Sequence, residues 1–226
     1  MKGKLIVIEG TDCSGKETQS SLIADRLRNI GIKIEHLSFP NYNSPTGKII
    51  GGPYLGKNYI CEGWFPETAP LVDPKVSSLY YAADRRYNIK TINELLNNGV
   101  NVILDRYFYS NMAHQGGKIV DDKERIKMYK WIEKLELDLL ELPPADIKIF
   151  LHVPYLISLE LKQNRKELLD QNELNKEHLI NAEKAYLEIA EIYNFENIRC
   201  YKENKILSIE EINDKIYDFI INELEK

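Results

Sequence analysis

Ten consecutive residues, Glu9, Gly10, Thr11, Asp12, Cys13, Ser14, Gly15, Lys16, Glu17 and Thr18, carry a dense set of chemical groups and directly follow the apolar run Leu5 to Ile8. Two glycines allow a tight backbone wrap, N–H groups at the start of a following helix point at an anion, and Lys16 adds a full positive charge. The pattern reads as a phosphate-binding loop between a strand and a helix. β-Branched residues before the loop, and Leu22, Ile23, Leu27 and Ile30 at helical spacing after it, support that context. One position departs from the usual pattern, in which the lysine precedes a Ser or Thr whose hydroxyl holds magnesium. Here that position is Glu17.

Other groups must meet this loop if it is to do more than hold an anion. Tyr81 and Arg85 lie four apart on a helix expected over Lys75 to Asn98, so they share a stripe beside the buried face. An aromatic face beside a guanidinium suits a planar base with a carbonyl edge, and an exposed Tyr and Arg pair is the alternative. Asp105 and Arg106 end an apolar run. The polar stretch at about 162–176, with Lys162, Arg165 and Lys166, reads either as a mobile basic lid or as a plain helix junction.

The elements that position these groups follow from periodicity. Apolar runs at Leu5 to Glu9, Lys33 to Phe39, Val100 to Asp105, Ile147 to Val153 and Ile198 to Tyr201, separated by helical patterns, predict an α/β fold. Its five-stranded parallel sheet is flanked by helices and binds ligands at the carboxyl ends of the strands. The loop, Phe39 and Asp105 converge on that edge. The helix over Lys75 to Asn98, capped by Asp73 and Pro74, is expected to bury Val76, Leu79, Tyr80, Ala83, Tyr87, Ile92 and Leu96. A helix over Asp121 to Leu140 buries Ile126, Tyr129, Ile132 and Leu139, and its charges form a solvated face. Further helices follow on Leu179, Ala182, Tyr186 and Ile189, and, behind a Ser208 to Glu211 capping box, on Ile212, Ile216, Ile220 and Leu224. The Gly- and Pro-rich segment at about 40–74 is either a substrate-covering flap or a packed excursion.

Composition excludes several classes. The 226 residues fit one domain, and a net charge of −5 argues against a protein that coats nucleic acid. Three cysteines without paired spacing point to a reducing compartment, with cytoplasm as the default. No apolar run approaches a membrane span, and His36, His114, His152 and His178 lack partners at zinc-ligand spacing.

Four blocks, in order, make the chain resemble the thymidylate kinase family of P-loop nucleoside monophosphate kinases over nearly its whole length. They are Glu9 to Lys16, Phe39-Pro40-Asn41-Tyr42, Tyr81-Ala82-Ala83-Asp84-Arg85, and Asp105-Arg106-Tyr107 through Gly116. The resemblance implies a three-layer P-loop fold, ATP as donor with Mg²⁺, dTMP as acceptor, dTDP as product, and a homodimer. It implies that the loop from Gly10 to Thr18 holds the ATP phosphates and that Asp12 bonds the acceptor's 3′-hydroxyl. Phe39, Tyr42 and Arg106 would place the acceptor phosphate; Tyr81 would stack on thymine; Arg85 and Asn111 would bond its polar edge, and Gln115 would be a further dTMP-binding residue. Arg165 would close over the transferring group, and Glu17 and Asp105 are the candidate metal ligands. A deoxynucleoside kinase, and a nucleotide-binding regulatory protein without turnover, are the alternative readings.

Overall fold

The computed structural model of the chain describes residues 2–163, 172 and 174–226. Strands β1 (Leu5–Gly10), β2 (Ile34–Ser38), β3 (Asn101–Asp105), β4 (Ile147–His152) and β5 (Glu196–Arg199) form one sheet. All its pairings are parallel, in the order β2-β3-β1-β4-β5. The first half of the chain adds helices α1 (Lys16–Asn29), α2 (Pro45–Ile49), α3 (Pro74–Asn97) and α4 (Phe108–Gly116). The second half adds α5 (Asp122–Glu133), α6 (Tyr155–Gln163), α7 (Lys176–Ile192) and α8 (Ile209–Leu224).

Every residue of β1 is buried, and its side chains alternate between two cores. Leu5 and Val7 join Val102, Leu104 and Phe150 under α3, α4, α5 and α7. Ile6 and Ile8 join Ile103, Ile149 and Leu151 under α1 and α8. A strand buried on both faces belongs in a parallel sheet, and the three-layer α/β arrangement follows.

The expected strands are present with shifted ends. The second stops at Ser38 because Pro40 has no N–H to continue the ladder, although the Phe39 N–H still donates to the Asp105 carbonyl at 3.0 Å. The fifth begins earlier, at Glu196, and Tyr201 leaves the sheet for a small antiparallel hairpin, β6 (Tyr201–Lys202) with β7 (Lys205–Ile206). Glu203 and Asn204, both at positive φ, make that turn.

Helix α3 corrects the expected stripe. Val76, Leu79 and Tyr87 are 39%, 51% and 59% exposed, and Ala83 is exposed as well, while Ser77, Ser78, Ala82, Arg85 and Ile89 face inward with Ile92 and Leu96. Arg85 is therefore on the buried face, not on an amphipathic stripe beside it. The inward face is polar because its first half walls a cleft rather than a core. The helix expected over Asp121 to Leu140 is likewise two elements, α5 and a π-helical turn over Lys134–Leu139. The wider turn sends Glu136 into the interior, while Leu139 stays 67% exposed.

The excursion at 40–74 is packed. Ile50, Tyr54, Leu55, Ala69 and Val72 form a satellite core against Phe65, Tyr80 and Tyr81. The Lys118 ammonium pins it by donating to the carbonyls of Ala69 and Val72 at 3.0 and 2.8 Å.

Two adjacent residues of α1 test the layer assignment, since Ile23 is fully buried and Leu22 is 42% exposed. Ile23→Ala is expected to cost about 2–5 kcal/mol of unfolding free energy in urea, and Leu22→Ala about 0.5 kcal/mol.

Candidate active site

The loop after β1 is held from below and behind. A Cβ on Gly10 would meet the Leu151 carbonyl oxygen at 2.6 Å, so only glycine lets the loop lie this close to β4. The Thr11 hydroxyl donates to the Val153 carbonyl at 2.8 Å and anchors the loop to the segment after β4. Gly15 caps α1 in the left-handed region, at φ 77°, and turns the helix N-terminus toward the cleft. The Lys16 ammonium folds back onto the loop, donating to the Thr11 carbonyl at 2.7 Å and to Ser14 Oγ at 3.4 Å. Burial, then the charge of Arg106, lowers its pKa to about 8, against the pull of Asp12, Asp105 and Glu9.

A second turn, after β3, faces the loop. Arg106 holds a left-handed conformation at φ 69°, and its N–H donates to the Ile8 carbonyl at 3.1 Å. Its side chain donates to Asp12 Oδ1 at 2.9 Å, to Ser110 Oγ at 3.4 Å and to the Tyr186 hydroxyl at 3.3 Å. Burial opposes the guanidinium charge, but Tyr186, Asp12 and Asp105 outweigh it and hold the pKa well above the ordinary arginine value.

Glu9 builds this turn. Helix α4 has no side-chain cap of its own, and the buried Glu9 carboxylate supplies one from the neighbouring strand. It accepts from the Tyr107 N–H at 2.7 Å, from the Ser110 N–H at 3.0 Å and from the Ser110 hydroxyl. Burial raises the Glu9 pKa on balance, against the opposing pull of these donors and of Arg106.

A cleft of about 1130 Å³ runs from the loop along the carboxyl ends of the strands. Asp12, Cys13, Ser14, Gly15, Lys16, Glu17 and Thr18 line one end, and Tyr81, Arg85, Asn111 and Gln115 the other. Phe39, Tyr42, Asp105 and Arg106 lie on its wall between them. Gly10 and Thr11 sit behind the loop as supports. Arg165 and Lys166 lie outside the described residues, as do most of the expected lid at 162–176 and the side chain of Lys162.

The far end is arranged for a polar, planar ligand. Arg85 donates through Nε to Glu136 Oε2 at 2.9 Å and through Nη2 to Oε1, both side chains being fully or nearly buried. Burial works against the Arg85 charge, yet Glu136 raises its pKa on balance. No protein partner occupies Nη1 among the described residues. Close by in the same cleft, Asn111 Oδ1 and Gln115 Oε1 are buried without hydrogen-bond partners. Orphaned amide oxygens of this kind are costly unless a ligand satisfies them. The Tyr81 ring is braced edge-on by Tyr54, with centroids 5.8 Å apart. Asp84, on the same helix, accepts from Ser44 and Thr46 hydroxyls and from the Asn41 N–H at 2.7–2.8 Å, which fixes the Phe39 to Tyr42 segment.

Sequence reasoning did not single out Glu136, Tyr186, Tyr54 or the capping role of Glu9. Glu136 had no local signal, because it lies in a charged stretch that reads as solvated surface.

A phosphate loop between β1 and α1, an arginine turn opposite it and a cleft bridging the two define the architecture of a P-loop phosphotransferase. The sequence profile described as thymidylate kinase matches residues 8–216. The thymidylate kinase of Schizosaccharomyces pombe is 30% identical over 98% of this chain and 93% of its own length. That of Brachyspira hyodysenteriae is 30% identical over 94% and 93%. A solved structure of thymidylate kinase from Candida albicans superposes with a TM-score of 0.70 at 26% identity, covering 98% of this chain and 92% of that one. The chain belongs to the thymidylate kinase family.

Two expectations follow from the geometry. Glu136→Ala strands the Arg85 charge in the interior and is expected to cost about 3–5 kcal/mol in urea unfolding. Because Lys16 in the empty site loses its proton near pH 8, nucleotide affinity is expected to fall as pH rises through about 8, with proton uptake on binding. Calorimetric titration of ADP in two buffers of different ionisation enthalpy reads both effects.

Proposed function

We propose that the chain transfers the γ-phosphoryl group of ATP to dTMP, giving dTDP and ADP, with the donor phosphates on the loop and the base at Arg85, Asn111 and Gln115. The observation that carries this reading is the pair of orphaned amide oxygens beside Arg85. A thymine edge offers carbonyl oxygens, which suit Arg85 Nη1, and an imide N–H, which suits Asn111 Oδ1 or Gln115 Oε1. A cytosine edge presents an amino group toward the guanidinium and a bare ring nitrogen toward the amide oxygen, so both contacts are lost. Tyr81 supplies the stacking face.

The acceptor is a phosphate whose second pKa is ~6, so it is already an oxyanion near neutral pH and needs no strong base. The work is therefore positioning and charge neutralisation. Lys16 exchanges the Thr11 carbonyl for donor phosphate oxygens. Arg106, held by Asp12 from the donor loop, takes the acceptor phosphate with Phe39 and Tyr42 alongside, and the resemblance assigns the ribose 3′-hydroxyl to Asp12. Arg165 is assigned, by resemblance, to the transferring group.

A divalent cation fits the donor end. Asp105 Oδ1 is buried with no hydrogen-bond partner, and Glu17 lies exposed in the same cleft, so hard oxygen donors are present. Glu17 and Asp105 would hold Mg²⁺, which when bound neutralises charge on the donor phosphates.

We read the chain as one domain and, on the resemblance, as a homodimer in the cytoplasm. The row of Val76, Leu79, Ala83 and Tyr87 on the outer face of α3 supports association of two copies through that helix. No helix among the described residues is long and apolar enough to cross a membrane.

A coupled ADP-release assay with dTMP, dCMP and thymidine tests the assignment. Turnover with dTMP, and kcat/KM at least ~10-fold lower with dCMP, is expected; product from thymidine alone overturns it. Loss of whichever amide oxygen takes the imide N–H, by Gln115→Ala or by Asn111→Ala, is expected to lower kcat/KM for dTMP by roughly 10-fold or more, the worth of one buried hydrogen bond to a polar edge.

A further inference from the structure

The loop's one departure from the usual pattern puts a second carboxylate into the cleft, while Lys16 and Arg106, which feel the charge of Asp105, are hydrogen-bonded elsewhere. Glu17 is the second residue of α1 and lies exposed in the cleft directly after Lys16. Asp105 reaches the same cleft from the end of β3, and its Oδ1 is buried without a partner. Neither carboxylate makes an ion pair among the described residues, because Lys16 is turned onto Thr11 and Arg106 onto Asp12. His36 lines the same cleft and feels the charge of both carboxylates. Its Nε2 lies 2.9 Å from Ser20 Oγ, so that nitrogen is hydrogen-bonded to Ser20 rather than to either carboxylate.

Two negative charges without an ion-pair partner among the described residues, at the place where nucleotide phosphates must lie, work against a bare nucleotide. A hydroxyl at position 17 would leave one of them out. A divalent cation reverses the sign of the contact, since it accepts one or two carboxylate oxygens together with phosphate oxygens and water. No group of three or more His, Cys, Asp or Glu suited to a metal is found among the described residues, so the phosphates are needed to complete a coordination shell. Cation and nucleotide must then bind together.

We propose that Glu17 gates this nucleotide site by metal: with Asp105 it excludes metal-free nucleotide and admits nucleotide accompanied by a divalent cation. This inference rests on the reading of the loop as the ATP site. It predicts a large dependence of nucleotide affinity on the cation, set by the charge at position 17 rather than by the presence of a ligand atom there.

The test is the dissociation constant of ADP, measured by displacement of a fluorescent ADP analogue, in excess Mg²⁺ and in EDTA. Wild-type protein, Glu17→Ser and the near-isosteric Glu17→Gln are compared, with thermal midpoints confirming that each is folded. Glu17→Ser and Glu17→Gln should bind metal-free ADP about 10-fold or more tightly than wild type, as removal of a like charge close to a phosphate requires. Binding in Mg²⁺ should change less or weaken, so the ratio of the two constants collapses. An unchanged ratio in Glu17→Gln overturns the gate while leaving the kinase reading intact. Failure of the wild-type protein to bind ADP under either condition overturns both.

Discussion

A carboxylate with no access to water organises the catalytic edge of this molecule. Glu9 is the penultimate residue of β1, and from there it caps α4 across the sheet through the Tyr107 and Ser110 N–H groups. Those bonds determine where the chain turns after β3, and Arg106 sits at that turn in a left-handed conformation that few residues adopt without support. The phosphate loop begins one residue after Glu9. The phosphate loop and Arg106, the proposed donor cradle and acceptor arginine, are thus built on one strand end, and the Arg106 to Asp12 ion pair at 2.9 Å closes the connection on the cleft side. For phosphoryl transfer between two bound nucleotides, in which the protein contributes mainly alignment, a short rigid link is the appropriate construction.

The base end follows a similar logic with a different material. Arg85 is buried, and it stays charged because Glu136 arrives from a π-helical turn to bond two of its nitrogens, leaving the third toward the cleft. Replacing the pair with apolar side chains would cost little stability and would remove the recognition element. Tyr81 is steadied by Tyr54, whose hydroxyl donates to the Ala69 carbonyl at 3.2 Å within the satellite core. The excursion at 40–74 therefore positions Tyr81 through packing.

The strand, loop and helix at the N-terminus were legible because they depend on local rules: glycine spacing, a lysine, and apolar periodicity on both sides. The sheet was legible because doubly buried parallel strands read as short continuous apolar runs. Helix α3 was misread for the converse reason. Its outer face carries Val76, Leu79 and Tyr87, and its inner face carries Ser77, Ser78 and Arg85, so apolar spacing pointed outward. Which face of a helix lines a cleft is decided by elements distant in sequence. The same holds for Glu136 and for the role of Glu9, since a capping bond spanning about a hundred residues leaves no trace in local spacing.

The central claim is that Glu9 fixes the acceptor arginine relative to the donor loop. Glu9→Leu tests it most directly, because it keeps a side chain of similar size but removes the acceptor of the Tyr107 and Ser110 N–H groups. The account predicts that kcat/KM for dTMP falls by about 100-fold while ADP affinity stays within about threefold of wild type. A Glu9→Leu enzyme with unchanged kcat/KM for dTMP would contradict it.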